Sequence, residues 1–324
     1  MTPEAVDATP KPPRLLRPIG AEKLVEELKP LIEQIELARV RIDEISPPFS
    51  AEQMEIQPGQ DAYHIFHSNA IEGNVLTSLE TEEIVVRGAT VSGRPIKDVL
   101  EANNLKGAMK TVSTMLQNKA PFDERALLSL HDMVMRDNQE GIEPGQFRRG
   151  NVHIAGNAIE PPDPILLPDY LAEFWDWLDG DSKALHPVLR ASIAHWWFVR
   201  IHPFRDGNGR IGRLLFYFLL SREGYRLAPV IVKEERQKYY ACLAAADNND
   251  FRPICEFLCQ AILRALRDLE RQLAAQKLAR ESLSQSLGTI RSGLERQQQQ
   301  TYDLWRAGME GIQRDFAAAA KHVA

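Results

Sequence analysis

Apolar residues recur three and four apart through most of the chain, the spacing that lines one face of an α-helix. Leu24, Leu28, Leu31, Ile32, Ile35 and Ile42 form one such stripe, so a first helix is expected over 21–45, ended by the paired prolines of ISPPFS. Shorter stripes predict a helix over 61–72 that stops near Gly73-Asn74, and one over 78–88 that opens on a serine cap and closes on glycine. Two more are expected at 98–117 and 122–137, the second with Leu127, Leu128, His131 and Val134 facing inward. Helical spacing returns at 168–180, 188–201 and 236–246, and in the residues after Gly212, where Leu214, Leu215, Phe218 and Leu219 share a face.

Two regions break this texture. The run GIEPGQFRRGNVHIAGNAIEPPDP over 141–164 is rich in glycine and proline and holds one short alternating stretch, Asn151 to Ile154, which predicts a β-hairpin. Beyond 253 the chain has no proline, and three apolar stripes follow one another: Ile262, Leu266, Leu269 and Leu273; Leu283, Leu287, Ile290 and Leu294; Trp305, Met309, Ile312 and Phe316. Coiled-coil or docking helices both explain them, with QQQQ at 297–300 as a polar break, and a homo-oligomer is one expectation. The pattern gives an all-α fold with a hairpin. Its expected organisation is a disordered tail at 1–20, an N-terminal helical region at 21–120, a central core at 121–262 and a helical extension at 263–324.

Composition narrows the class. With 324 residues the chain can bury a sizeable core, and a net charge of -6 speaks against a nucleic-acid binder. No apolar run is long enough to span a membrane, and the proline-rich start lacks the apolar core of a secretion signal, so a cytoplasmic protein is expected. The three cysteines, Cys242, Cys255 and Cys259, read as buried thiols in a reducing compartment.

The candidate chemistry lies in HPFRDGNGRIGR, residues 202–213. Gly207-Asn208-Gly209-Arg210-Ile211-Gly212 satisfies G-x-G-x-x-G, but a dinucleotide site needs a buried strand entering the glycines, and here a helix enters. The glycines therefore join two helices and sit at the N-terminus of the second, where unpaired amides and the helix dipole attract anions.

The same twelve residues resemble the signature of the Fic family, HPFx[D/E]GNGRxxR. SNAIEGN at 68–74 is similar to that family's inhibitory sequence [ST]xxxE[GN], GQFRRGNVHIAG at 145–156 to its flap, and KYYACLAAADNNDFRP at 238–253 to its nucleotide-side helix. The resemblance covers about residues 65–260 and implies transfer of AMP from ATP to a hydroxyl of a target protein, with self-modification among the outcomes. It implies His202 as general base and Asp206 as the ligand of a Mg²⁺ ion. Gly207, Asn208 and Gly209 would hold the α-phosphate, with Arg210 and Arg213 on the outer phosphates. Tyr239 and Tyr240 would flank the adenine, with Asp247 and Asn248 as weaker candidates, and Val152, His153 and Ile154 would hold a target segment. Glu72 would pair with Arg213 and keep the enzyme off, aimed by a hydrogen bond from Ser68. Each residue type suits its task. A hydroxyl needs a base before it can attack, and a histidine titrates near neutrality, at about 6.5.

Three other readings stay open. The same loop could remove AMP, with Glu72 positioning a water, or do both. A phosphotransferase variant is less favoured, because its loop carries lysine where Gly209 stands. A scaffold with a vestigial core would present the C-terminal helices to a partner. His64, His67, His131 and His195 fall on helix faces without a ligand set and read as packing residues.

Overall fold

The computed structural model describes residues 21–46, 58–137, 141–154, 160–225 and 230–323. The tail at 1–20 lies outside the described residues. The order is α1 (Ala21–Ile45), α2 (Pro58–Ile71), α3 (Ser78–Arg87), α4 (Ile96–Gln117), α5 (Glu124–Met135), α6 (Leu167–Asp179), α7 (Pro187–Ile201), α8 (Asn208–Arg222), α9 (Arg236–Asp247) and α10 (Arg252–Val323). The all-α expectation holds, with short 3₁₀ turns before α6, α7 and α9.

α7 and α8 pack against each other and form the centre. On α7, Leu189, Ile193, Trp196, Trp197, Phe198 and Ile201 are all buried, and on α8 every residue from Ile211 to Leu220 is buried. A helix apolar on all sides must be wrapped. The wrapping comes from α4 and α5 against α8, α6 against α7, and α2 against α3, α4 and α8. The signature loop connects the two most buried helices, so its backbone is fixed from both ends.

Local chemistry sets several boundaries. α3 is capped by Thr77, not by Ser78: the Thr77 hydroxyl accepts from Glu80 N, the Glu80 carboxylate accepts from Thr77 N, and Ser78 is the first helical residue. Gly88 closes that helix at φ 65°. α5 opens on Asp123, whose side chain accepts from Ala126 N.

Two expectations change. Among the described residues 151–154 form no strand, and the return arm at 155–159 lies outside them, so no hairpin is seen. The glutamines at 297–300 do not interrupt α10, which runs on through them. Glutamine is a good helix former, and a polar residue breaks an apolar stripe without breaking backbone hydrogen bonds. The chain divides into two compact units, the first ending at Glu270 and the second beginning at Arg271. No helix among the described residues is long and apolar enough to cross a membrane.

Candidate active site

The turn between α7 and α8 is held from behind. Asn208, at the start of α8, clasps the backbone of Phe204: its Oδ1 accepts from Phe204 N at 2.9 Å and its Nδ2 donates to Phe204 O at 2.9 Å. The Phe204 ring stacks on His131 with centroids 3.7 Å apart. His131 Nδ1 accepts from Gly145 N at 2.9 Å, so the ring proton is on Nε2, which donates to Asp206 O at 3.1 Å. Burial pushes the His131 pKa down to about 4, which keeps the ring neutral in that role.

Arg148 forms a second brace. Its backbone N donates to Pro203 O, its Nε donates to His202 O at 2.7 Å, and its terminal nitrogens reach Gly150 O and Pro162 O. One buried guanidinium thus ties the 145–163 segment to the two residues that open the loop. Composition had marked this segment as a hairpin and the resemblance as a flap, and neither gave Arg148 a role.

His202 ends α7 in the left-handed conformation, φ 52° and ψ 57°. Its Nδ1 lies 3.1 Å from Val199 O. A carbonyl only accepts, so Nδ1 carries the proton and Nε2 keeps its lone pair. Burial lowers the His202 pKa, with a further lowering from the Arg148 charge, so the neutral form prevails at pH 7. This is the state a general base requires.

Gly207, at φ 82°, turns the chain into α8, and no side chain caps that helix. The first-turn amides therefore have no intrahelical partner. Asp206 stands beside them, half-exposed, its Oδ1 accepting from Gly207 N at 2.6 Å. Glu72, at the end of α2, reaches over the same turn. A Cβ on Gly209 would collide with the Glu72 carboxylate, so glycine is the residue that permits this approach. Glu72 Oε1 accepts from Arg213 Nη2 at 2.8 Å. Ser68 lies one turn back as expected but meets a different partner: its hydroxyl accepts from Arg213 Nε at 2.9 Å and its carbonyl from Nη2 at 2.8 Å. Burial opposes the Arg213 charge, but Glu72, Tyr239 and Tyr240 more than offset it and hold the pKa above the ordinary arginine value.

The cleft in front of these groups is lined by Glu72, His202, Asp206, Gly207, Asn208, Gly209, Arg213, Tyr239 and Tyr240, with His153 and Ile154 at its edge. Tyr239 is buried, its hydroxyl 2.7 Å from His195 Nε2, whereas Tyr240 is partly exposed beside Arg236. Asp247 also faces the cleft, its Oδ1 accepting from Trp196 Nε1 at 2.9 Å.

Two expected phosphate contacts differ. The Asn208 side chain is engaged with Phe204, which leaves its backbone amide as the group available to a ligand. Arg210 points behind the loop, not into the cleft. It is 2% exposed, 3.1 Å from Glu101 Oε1 and 3.6 Å from Asp206 Oδ1. Glu101, buried on α4, draws it there and also accepts from Asn74 Nδ2 at 2.8 Å, while Asp98 accepts from Val75 N at 2.9 Å. Sequence reasoning passed over Asp98 and Glu101. Their signal was present: two carboxylates on the buried stripe that carries Ala102, Leu105 and Ala108.

Two buried histidines fix an acid response. Burial lowers His131 and His195 alike to about 4. The unfolded chain takes up these protons below about 6.5, the folded chain only near the lowered value, so between the two the unfolded state binds more protons. Each histidine is then expected to remove roughly 3 kcal/mol of stability at full extent as pH drops through that window, while Asp61, which burial raises to about 7, opposes it there. Melting temperatures across pH 7 to 4 test this, and His131→Gln should flatten the slope. A melting temperature unchanged down to pH 4.5 would contradict it.

Comparison with known proteins places residues 121–220 on the model of the Fic/DOC family. "Protein adenylyltransferase Fic" of Drosophila willistoni is 39% identical over 211 residues, covering 64% of this chain and 41% of the relative. The protein of the same name from Culex quinquefasciatus is 39% identical over 212 residues, with 64% and 41% covered. The chain thus spans less than half the length of these relatives. Among solved structures, a Fic domain containing signaling protein from Bacteroides thetaiotaomicron superposes with a TM-score of 0.66 at 25% identity, covering 75% of this chain and 97% of that one. Fic-1 of C. elegans, residues 134–508, superposes with a TM-score of 0.64 at 26% identity, covering 81% and 79%.

Proposed function

The chain carries a Fic/DOC family domain, and on that premise we propose that it is a protein adenylyltransferase, moving AMP from ATP to a hydroxyl side chain of a target protein. The observation that carries the reading is one cleft in which the unprotonated Nε2 side of a half-buried histidine, an uncapped helix N-terminus and a buried arginine converge. The names of its relatives point the same way.

In this reading ATP lies along the start of α8 with its adenine beside Tyr239 and Tyr240, and a target segment lies along Val152, His153 and Ile154. The target hydroxyl gives its proton to His202 Nε2 as its oxygen bonds the α-phosphorus. The bond from that phosphorus to the α,β-bridging oxygen breaks, and pyrophosphate leaves. Charge building on the α-phosphate meets the amides of Asn208 and Gly209, already in place, which is how preorganised donors lower such a barrier. Arg213 takes the γ-phosphate once Glu72 releases it.

Mg²⁺ accompanies ATP in this reading. Among the described residues no group of three or more potential ligands could hold a metal unaided. The half-exposed Asp206 carboxylate beside the phosphate-binding amides still fits an ion that takes most of its oxygens from phosphates and water. Asp206 would hold it, and the ion would supply neutralisation of phosphate charge.

Glu72 gives two further parts to the proposal. Its pairing with Arg213 makes the resting enzyme self-inhibited, and its carboxylate in the cleft could instead orient a water that removes AMP from a modified target. Self-modification follows where a hydroxyl of the chain itself serves as the acceptor, and a homo-oligomer would favour it. A cytoplasmic location rests on the three free, buried cysteines.

ATP labelled at the α- or γ-phosphate tests the assignment. Transfer of the α-label to protein supports it, transfer of the γ-label replaces it with phosphorylation, and transfer of neither, from ATP or with the Glu72→Gly chain, leaves a scaffold. Release of AMP from a pre-modified target would establish the removal reaction.

A further inference from the structure

The second unit is the later part of α10, and its apolar face is exposed among the described residues. Leu283, Leu287, Ile290, Leu294, Trp305, Met309 and Ile312 are each between 40% and 61% exposed. Together they present on the order of 800 Å², about what one partner contributes to a standard stable interface.

Their spacing says more than their exposure. Leu283, Leu294 and Trp305 are eleven residues apart, as are Leu287, Gln298 and Met309, and Ile290, Thr301 and Ile312. An eleven-residue repeat keeps three positions per repeat on one face, because it corresponds to about 3.67 residues per turn. The face is therefore continuous through the polar stretch at 297–300, with Gln298 and Thr301 as its polar middle.

The spacing also reads the same in both directions. If two copies lie antiparallel with Leu287 against Ile312, then Ile290 meets Met309, Leu294 meets Trp305, and Gln298 meets Thr301. From Leu287 to Ile312 every apolar position of the face finds an apolar partner, and the two polar positions find each other. A slipped register would set Gln298 or Thr301 against leucine or isoleucine, which disfavours it.

Charge selects the antiparallel direction. Arg291 pairs with Glu295 along the helix, and Arg306 pairs with Glu310 in the same way. All four lie on the same side of the apolar face, Arg291 nearest to it and Glu310 furthest round the helix. In the antiparallel pair that side of one copy runs beside the same side of the other, so Arg291 comes within two residues of register with Glu310 and also with Arg306, and Glu295 with Arg306, two attractive contacts against one repulsive. Two residues are about 3 Å of axial rise, well within the reach of these side chains. In a parallel pair the same edges lie on opposite sides of the seam and these contacts are lost.

We infer that residues 287–312 form an antiparallel two-helix coil with a second copy of this chain. The inference does not depend on the adenylyltransferase reading.

Sedimentation equilibrium of the full chain should show a dimer, and Leu287→Ser with Leu294→Ser should give a monomer. Direction is read by disulfide trapping, the three native cysteines being buried. Ile290→Cys chains mixed with Met309→Cys chains should cross-link to one another and not to themselves. A third arm separates a pairing role from a structural one. Arg291→Glu with Glu295→Arg keeps the intrahelical pair and the net charge but sets like charges across the seam, so dissociation should strengthen at least tenfold at low salt. Adding Arg306→Glu with Glu310→Arg should restore the dimer. A wild-type monomer at tens of micromolar, a dimer that survives Leu287→Ser with Leu294→Ser, or Ile290→Cys chains that cross-link to themselves would each overturn the inference. A monomer would assign the face to another protein.

Discussion

His202→Ala is expected to lower AMP transfer by about 10² to 10⁴-fold, the range typical of a positioned general base. Nucleotide binding should survive, because the imidazole is not among the groups that face the phosphates in the proposed arrangement. The fold should survive too, since the loop is held by Asn208, His131 and Arg148 and not by the His202 ring. The proton position makes this a specific expectation. With Nδ1 donating to Val199 O, only Nε2 is free to accept, and the lowered pKa leaves it neutral. The rate should therefore stay on its plateau as pH falls through about 6.5, where an ordinary histidine would already be half protonated. It should decline only below that. Single-turnover transfer by His202→Ala at the wild-type rate would remove this residue from the chemistry. A half-maximal pH above 7 would remove the protonation argument while leaving the residue in place.

Glu72→Gly is expected to raise self-modification or target modification by at least an order of magnitude, about the factor that 1.4 kcal/mol of relieved misplacement gives. In the resting chain Arg213 is held by three acceptors at the end of α2: the Glu72 carboxylate, the Ser68 hydroxyl and the Ser68 carbonyl. ATP entering the cleft meets a neutralised arginine and a carboxylate standing over the α8 amides, so its α-phosphate rests out of line for attack. Removing the carboxylate frees both the arginine and the space above Gly209, while the two Ser68 contacts keep the guanidinium in place. Arg213→Ala should lower activity in the Glu72→Gly background, because it deletes the phosphate's partner together with the inhibitor's. If ATP-dependent modification by Glu72→Gly stays at the wild-type level, Glu72 is not an inhibitor and its pairing with Arg213 is only a part-buried ion pair. Wild-type nucleotide affinity measured alongside separates a weak binder from a misaligned one.

Local periodicity and a dense signature were enough to place the helices, the loop between two of them and its position at the N-terminus of the second. A helix face is written in spacings of three and four, and an uncapped helix start follows from the glycines alone. Resemblance added Glu72 as the partner of Arg213, which no spacing could provide, since the two are far apart in the chain and meet only when α2 packs on α8. Side-chain direction was beyond both. Arg210 and Arg213 stand one turn apart and looked alike, yet Glu101 on α4 draws the first behind the loop while α2 holds the second at the cleft. Asn208 looked like a ligand donor, and its closure onto Phe204 required the bend of the finished turn. Arg148 and His131 became braces only because α5 and residues 145–150 come to rest against that turn. The sequence by itself determined which residues could do the chemistry, because residue type and local spacing are local properties. Which of them face a ligand and which hold the others was decided by tertiary packing, because a buried charge turns toward its partner and that partner comes from another helix.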